Sequence, residues 1–87
     1  MTVDEIVAVV CECLDEIGIT PGNGGECEEW SPQELALPDE TIVQLFTCIK
    51  KKMSESNCTA VLGKTMWKKS KTVRHFCQAV HKTQSCE

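Results

Sequence analysis

Apolar residues recur every three to four positions along most of the chain, which is the period of a helix buried along one face. The first of these stripes follows a capping box, residues 2–5 (TVDE), in which Thr2 and Glu5 can satisfy each other's backbone amides. The pattern predicts a helix over residues 3–17 that Gly18 ends in the left-handed conformation. Its apolar stripe comprises Ile6, Val7, Val10, Cys13, Leu14 and Ile17.

Turn-forming residues separate this stripe from the next helical region. Residues 20–30 are rich in glycine and predict a loop. A second capping box at residues 31–34 (SPQE) predicts a short helix that Pro38 closes. Asp39 is then predicted to cap a third helix over 40–54. The buried stripe of that helix comprises Ile42, Leu45, Phe46, Ile49 and Met53.

The last third of the sequence predicts two more helices. A fourth begins after Asn57 and contains Gly63, and its apolar residues are Val61, Leu62, Met66 and Trp67. The fifth covers residues 71–82, with an apolar stripe of Val73, Phe76, Cys77 and Val80. Because no alternating pattern of useful length indicates a strand, we expect an all-α fold. It would be one disulfide-stapled domain over residues 1–87, a bundle of four to five short helices.

Cysteine content decides how so small a domain is held together. A chain of 87 residues buries too little surface for hydrophobic burial alone to stabilise it well. Its seven cysteines therefore predict a disulfide framework and an extracellular, secreted protein. Residues 1–20 contain acids and no base, the opposite of a secretory leader, so we expect a mature chain.

An odd number of cysteines leaves one thiol free, capped, or paired between chains. The protein is accordingly expected to be a monomer or a dimer, with Cys11 as a candidate for an interchain bridge.

Cysteines at C-x-x-C spacing are absent from the sequence, so no metal is expected. No apolar run approaches the roughly 18 residues that a membrane span needs.

Charge is divided between the two halves of the chain. Residues 1–49 contain eleven acids and no base, whereas residues 50–87 contain all nine Lys and Arg. We favour the interpretation that the halves pack together and attract each other. The alternative is a basic surface for a partner, with Lys64, Lys68, Lys69, Lys71 and Arg74 as its candidates. The net charge of −4 and the scarcity of aromatics argue against nucleic-acid binding.

Three segments of the chain, residues 13–20, 37–53 and 73–86, resemble the insect odorant-binding proteins and the related D7 salivary proteins. Residues 13–20 (CLDEIGIT) are similar to the family's first-cysteine motif, and residues 37–53 to its third helix, with Cys48 near the end. Cys77 and Cys86 have the spacing of the family's last two cysteines, with eight residues between them. The sequence departs from the family at Gln44, which stands where the second cysteine is expected, and in a shortened stretch after Cys48.

The resemblance implies a fold like that of odorant-binding proteins and two bridges, Cys13–Cys48 and Cys58–Cys86. It also implies that Cys77 has lost its usual partner at position 44. Cys27 or Cys11 would then replace that partner, and we favour Cys27. The disulfide cysteines implied in this way are Cys13, Cys48, Cys58, Cys86, Cys27 and Cys77.

Catalytic motifs are absent from the sequence, and neither an enzymatic activity nor a cofactor is expected. Cys77 with His75 or His81 could form a nucleophile pair, but a bridged Cys77 with two solvated histidines is the simpler interpretation.

Binding is the expected function. The candidates for lining an inter-helical cavity are Trp30, Phe46, Met53, Leu62, Met66, Trp67 and Phe76. Such residues at helical spacing more often form a packed core, although the resemblance shifts the balance toward a pocket and the shortened chain shifts it back. The first hypothesis is a secreted carrier or scavenger of a small apolar ligand, such as an odorant, pheromone, lipid or host mediator. The alternative is a venom- or effector-type module that binds another protein and has no ligand pocket.

Overall fold

A computed structural model describes residues 1–19 and 26–87, so most of the glycine-rich loop predicted over 20–30 lies outside the described residues. The described residues form five helices, one 3₁₀ turn and one pair of very short strands. In chain order these are α1 (Val3–Glu16), the 3₁₀ turn (Cys27–Glu29), α2 (Pro32–Leu35), α3 (Asp39–Glu55), β1 (Cys58–Thr59), α4 (Lys64–Lys69), α5 (Val73–Thr83) and β2 (Ser85–Cys86). The expected disulfide-stapled helical fold is confirmed.

Both ends of α1 form as the sequence predicts. The backbone N–H of Glu5 donates to Thr2 Oγ1 at 3.2 Å, and the N–H of Thr2 donates to Glu5 Oε1 at 2.9 Å. At the other end Gly18 has a φ of +80°, and the N–H of Ile19 donates to the carbonyl of Leu14 at 2.9 Å. This is the Schellman arrangement, which satisfies carbonyls that the helix itself leaves without partners.

The start of α3 differs from its prediction. Asp39 was expected at the N-cap, but the N-cap is Pro38 and Asp39 is the first residue of the helix. The Asp39 carboxylate accepts a hydrogen bond from Lys68 Nζ at 3.0 Å instead of capping the backbone. Because Pro38 lacks a capping side chain, α3 starts without a side-chain hydrogen bond at its N-cap.

The fourth helix is shorter than predicted. It starts at Lys64, so Val61 and Leu62 precede it, and Val61 is 72% exposed. The reason is the antiparallel pairing of β1 with β2, in which Cys58 lies opposite Cys86. This pairing holds residues 58–59 in an extended conformation where the local sequence predicted a helix.

The core is formed where α1 packs against α3 and α5. Their inward faces are the predicted apolar stripes: the buried residues of α1, α3 and α5 include Ile6, Val10, Leu14, Ile42, Leu45, Ile49, Val73 and Val80. Phe76 on α5 is fully buried between two other rings. It stacks on Phe46 at a centroid distance of 5.9 Å and meets the edge of Trp67 at 4.9 Å, geometries that aromatic pairs favour.

Two of the three implied bridges form. Cys13–Cys48 joins α1 to α3, and Cys58–Cys86 fastens β1 to β2. Each closes a loop of 28 to 35 residues, which is worth about 3–4 kcal/mol in the chain-entropy description.

The predicted bridge to Cys77 is wrong. Cys27 is bonded to Cys11, and Cys77 is a free thiol buried on α5. The N–H of Val73 donates to the carbonyl of Trp30 at 2.8 Å, which holds the 3₁₀ turn against the start of α5, and the Cys11–Cys27 bond joins the same turn to α1. Cys77 faces the core beside Phe76, where a free cysteine packs as a small apolar residue.

The intrachain bond of Cys11 also removes the expected candidate for an interchain bridge. Cys11 is half-buried, as its position beside the apolar stripe of α1 predicts. Among the helices of the described residues, none has the length and apolar character needed to cross a membrane.

Candidate ligand groove

The seven predicted ligand-lining residues converge on the same core. Phe46, Met53, Trp67 and Phe76 are buried in it. Trp30, Leu62 and Met66 are partly buried and pack against it. Four of the seven side chains are therefore closed to solvent, and a smaller set of residues lines the surface that a ligand can reach.

A groove opens where α2 and the following residues face α4. Its volume is about 320 Å³, within the range of pockets that hold small molecules. The groove, called here the tryptophan groove, is lined by Pro32, Gln33, Ala36, Leu37, Ile42, Trp67 and Lys68. Of the seven predicted residues, all of which are described, Trp67 is the one on its wall. Since most of the lining is apolar, the groove suits an apolar ligand.

Polar contacts fix the helices around the tryptophan groove. Gln33 Nε2 donates to the carbonyl of Lys68 at 3.3 Å, which ties α2 to α4. Lys68 Nζ in turn donates to Asp39 Oδ1 at 3.0 Å, and Lys64 Nζ lies 3.8 Å from Asp39 Oδ2. The hydrogen bond from Lys68 and the charges of Lys68 and Lys64 lower the pKa of the Asp39 carboxyl. The rim of the groove therefore carries two ammonium groups and one carboxylate.

Trp67 connects the groove to the core. Its side chain is 1% exposed, and its ring packs edge-on against Phe76. The indole Nε1 is buried, and no acceptor for it lies among residues 1–19 and 26–87. A buried donor without a partner lowers stability by about 1–3 kcal/mol.

A second groove lies on the opposite flank of α3. It has a volume of about 450 Å³, and it passes the Cys13–Cys48 bridge at Cys48. Four charged side chains line it: Glu16, Lys51, Lys52 and Glu55. An apolar ligand there would have to cover these charges, so the second groove fits the expected ligand less well than the tryptophan groove does.

The predicted basic face is largely engaged within the protein. Arg74 donates to Glu28 Oε2 at 2.8 Å and to Asp4 Oδ1 at 3.1 Å, while Lys64 and Lys68 share Asp39. Lys69 and Lys71 are exposed.

Across residues 1–19 and 26–87, every ion pair joins an acid of the first half to a base of the second, including Lys52 with Glu12 and Glu16. The expected attraction between the halves is confirmed.

Two further candidates for reactive chemistry among the described residues are the Cys77 thiol with its neighbour His75 and the group of Cys13, Glu16 and Cys48. Burial raises the pKa of the Cys77 thiol to about 12, so the nucleophilic thiolate is scarce at neutral pH. His75 Nδ1 accepts a hydrogen bond from the N–H of Lys71 at 3.2 Å. Cys13, Glu16 and Cys48 lie close enough to share a cation, but the two sulfurs are bonded to each other and offer no thiolate.

Sequence reasoning missed most of the groove. Ile42 carried a signal, since it belongs to the apolar stripe of α3. Pro32 and Leu37 carried none, because they lie in a one-turn helix and the link after it, where periodicity says little. Between them lies Ala36, whose left-handed backbone, with a φ of +48°, is an unusual conformation for an alanine.

Comparison of the chain with protein-family models, with curated proteins and with solved structures finds no match.

Proposed function

We propose that this protein is an extracellular carrier or scavenger of a small apolar ligand, which it binds in the tryptophan groove. The observation that carries the proposal is an apolar groove of about 320 Å³ between helices tied together by Gln33, Lys68 and Asp39. Because these contacts preset its shape, little ordering is needed on binding. Burial of apolar area in the groove would supply most of the affinity.

The disulfide framework supports an extracellular location. Three bridges in one small chain are typical of proteins made for oxidising compartments, where thiols are not kept reduced. They also let a small domain keep an open groove, since the bridges supply stability that a larger core would otherwise provide.

We further propose that the chain is a shortened, divergent relative of the insect odorant-binding and D7 proteins. The bridges Cys13–Cys48 and Cys58–Cys86, both implied by that resemblance, support this relationship. The Cys11–Cys27 bridge and the free Cys77 are departures from it. The carrier proposal does not depend on the relationship, because it rests on the groove.

The alternative, a module that binds another protein through its basic face, has less support. Three of the five candidate cations, Lys64, Lys68 and Arg74, already pair with carboxylates of the same chain. A partner would have to displace those carboxylates, or bind Lys69 and Lys71 without them.

The carrier proposal is tested by titrating the oxidised protein with a fluorescent apolar probe and displacing the probe with small apolar compounds. Leu37→Arg places a charge in the tryptophan groove, and Val43→Arg places the same charge in the second groove, where Val43 is 49% exposed. We expect saturable binding that Leu37→Arg abolishes and Val43→Arg preserves. Absence of binding by the folded wild-type protein, or the opposite ranking of the variants, would overturn the proposal.

A further inference from the structure

A glycosylation sequon lies on the surface directly after α3. Residues 57–59 (NCT) match the pattern Asn-x-Ser/Thr, which accepts N-linked oligosaccharides when the middle residue is not proline. The asparagine amide and the hydroxyl two residues later are the groups that this modification uses. Asn57 and Thr59 are both exposed, whereas Cys58 between them is 2% exposed. The fold therefore presents both required side chains to solvent and buries the middle one.

Main-chain hydrogen bonds hold Asn57 in the turn between α3 and β1. Its φ is +59°, a left-handed conformation that asparagine adopts more readily than most residues do. Its N–H donates to the carbonyl of Ser54 at 2.9 Å, and its carbonyl accepts from the N–H of Glu87 at 3.0 Å. A sugar attached to the side chain would break neither bond. A depression of about 200 Å³ beside it is lined by Ser54, Asn57, Cys58, Thr59, Ser85 and Glu87. The hydroxyls and the carboxylate in this lining suit a polar sugar.

The attachment point lies at the opposite end of α3 from the tryptophan groove. Ile42, which lines the groove, is near the start of the helix, and Asn57 follows its end. At the helical rise per residue, Ile42 and Glu55 are separated by about 20 Å along the axis. A glycan attached to Asn57 is therefore compatible with ligand binding in the groove.

Contacts of the folded protein restrict when the sequon can be modified. An enzyme that transfers a glycan has to reach the main chain of residues 57–59 and the Thr59 hydroxyl. In the fold, β1 pairs with β2, Cys58 is bonded to Cys86, and Thr59 Oγ1 donates to the carbonyl of Ser85 at 3.5 Å. Closure of the Cys58–Cys86 bridge therefore competes with transfer of the glycan.

We propose that Asn57 is an N-glycosylation site, modified in the secretory pathway before the Cys58–Cys86 bridge closes. This inference rests on the extracellular location proposed above. The donor is an oligosaccharide carried on a lipid diphosphate, and Asn57 Nδ2 attacks the anomeric carbon of its first sugar. The new N–C bond replaces the bond from that carbon to the phosphate oxygen. The lipid diphosphate leaves, and the proton that Nδ2 loses passes to a base of the transferring enzyme.

The test expresses the chain behind a cleavable secretory leader in insect cells, alongside Asn57→Gln, Thr59→Ala and Cys86→Ser. Ser85→Ala is the matched control for Cys86→Ser, since it changes a neighbouring residue of β2 and keeps the bridge. Gel mobility is compared before and after digestion with peptide N-glycosidase F, which converts a glycosylated asparagine to aspartate that mass spectrometry locates. Cell extracts and medium are both scored, so a variant that is not secreted is still measured.

We expect a partly modified wild-type protein and complete loss of the glycan in Asn57→Gln and in Thr59→Ala. The modified fraction should rise in Cys86→Ser and not in Ser85→Ala. A wild-type protein without the glycan would overturn the inference and leave the carrier proposal standing, and a glycan that persists in Asn57→Gln would overturn the assigned site. Equal modified fractions in Cys86→Ser and Ser85→Ala would overturn the proposed competition with the bridge.

Discussion

Cys11 on α1 is bonded to Cys27 in the 3₁₀ turn, with their Cα atoms 6.0 Å apart. Together with the bridges Cys13–Cys48 and Cys58–Cys86, this bond leaves Cys77 as a free thiol that is fully buried on α5. We expect the oxidised native protein to be inert toward Ellman's reagent, because the thiol is both shielded and protonated. The protein unfolded in guanidinium chloride should release colour from one thiol per chain. Rapid reaction of the native protein would contradict the assignment.

The same thiol predicts a loss of stability at alkaline pH. Burial raises the pKa of Cys77 from 9.0 to about 12 in the folded state, so the folded protein holds this proton more tightly than the unfolded chain does. The resulting stabilisation is complete below pH 9.0 and is lost as the pH rises from there toward 12. The melting temperature of the wild-type protein should therefore fall more than that of Cys77→Val as the pH is raised through this window. Parallel curves would show that the thiol is not buried as described.

Arg74 links the basic half to two parts of the acidic half, because it binds both Asp4 of α1 and Glu28 of the 3₁₀ turn. Arg74→Met keeps an apolar stem and removes both ion pairs, so it should lower the melting temperature at low ionic strength. The difference from the wild-type protein should shrink in high salt, which screens exposed charges. Lys69→Met is the control, since Lys69 is an exposed cation on α4. An equal loss from both variants would mean that only net charge matters.

Phe76 is expected to be the most sensitive position of the core. It is fully buried and contacts both Phe46 and Trp67. Phe76→Ala removes these contacts and leaves a cavity, so the free energy of unfolding should fall by about 3–5 kcal/mol. Val61→Ala, at a side chain that is 72% exposed, should change it by less than about 0.5 kcal/mol. Denaturant titration of the two variants gives both values, and similar small losses would contradict this description of the core.

Local rules account for the parts of the fold that the sequence predicts correctly. The capping box at Thr2 and Glu5, the left-handed Gly18 and the stripe of α3 each depend on residues a few positions apart, and each forms. The Cys13–Cys48 bridge was implied by the resemblance to the odorant-binding proteins and not by a local rule, and it forms between α1 and α3. The end of α2 was harder to predict from the sequence, because the residue with the positive φ is Ala36 and not a glycine or an asparagine.

Long-range contacts account for the errors. The choice of Cys11 over Cys77 as the partner of Cys27 depends on where the 3₁₀ turn packs, and the backbone bond from Val73 to Trp30 helps fix that position. No periodicity in the sequence encodes such a contact between distant residues. Trp67 was among the predicted ligand-lining residues, but the sequence could not distinguish it from neighbours such as Phe76. That distinction depends on α2, which leaves a groove beside Trp67. None of the side chains of α2 was predicted to line the site.

Asp39 makes the rim of the tryptophan groove sensitive to acid. Hydrogen bonding by Lys68, and the charges of Lys68 and Lys64, hold the pKa of this carboxyl below its ordinary value of 3.8. The stabilisation it provides is present above pH 3.8 and is lost as the pH falls through the lower pKa of the folded state. Asp39→Asn should therefore melt at a lower temperature than the wild-type protein near neutral pH, and the difference should vanish in acid. Because the contacts are exposed, the effect should be small and weakened by salt. Glu40→Gln, at the exposed neighbouring position, is the control, and a loss as large as that of Asp39→Asn would argue against a specific role for the Asp39–Lys68 contact.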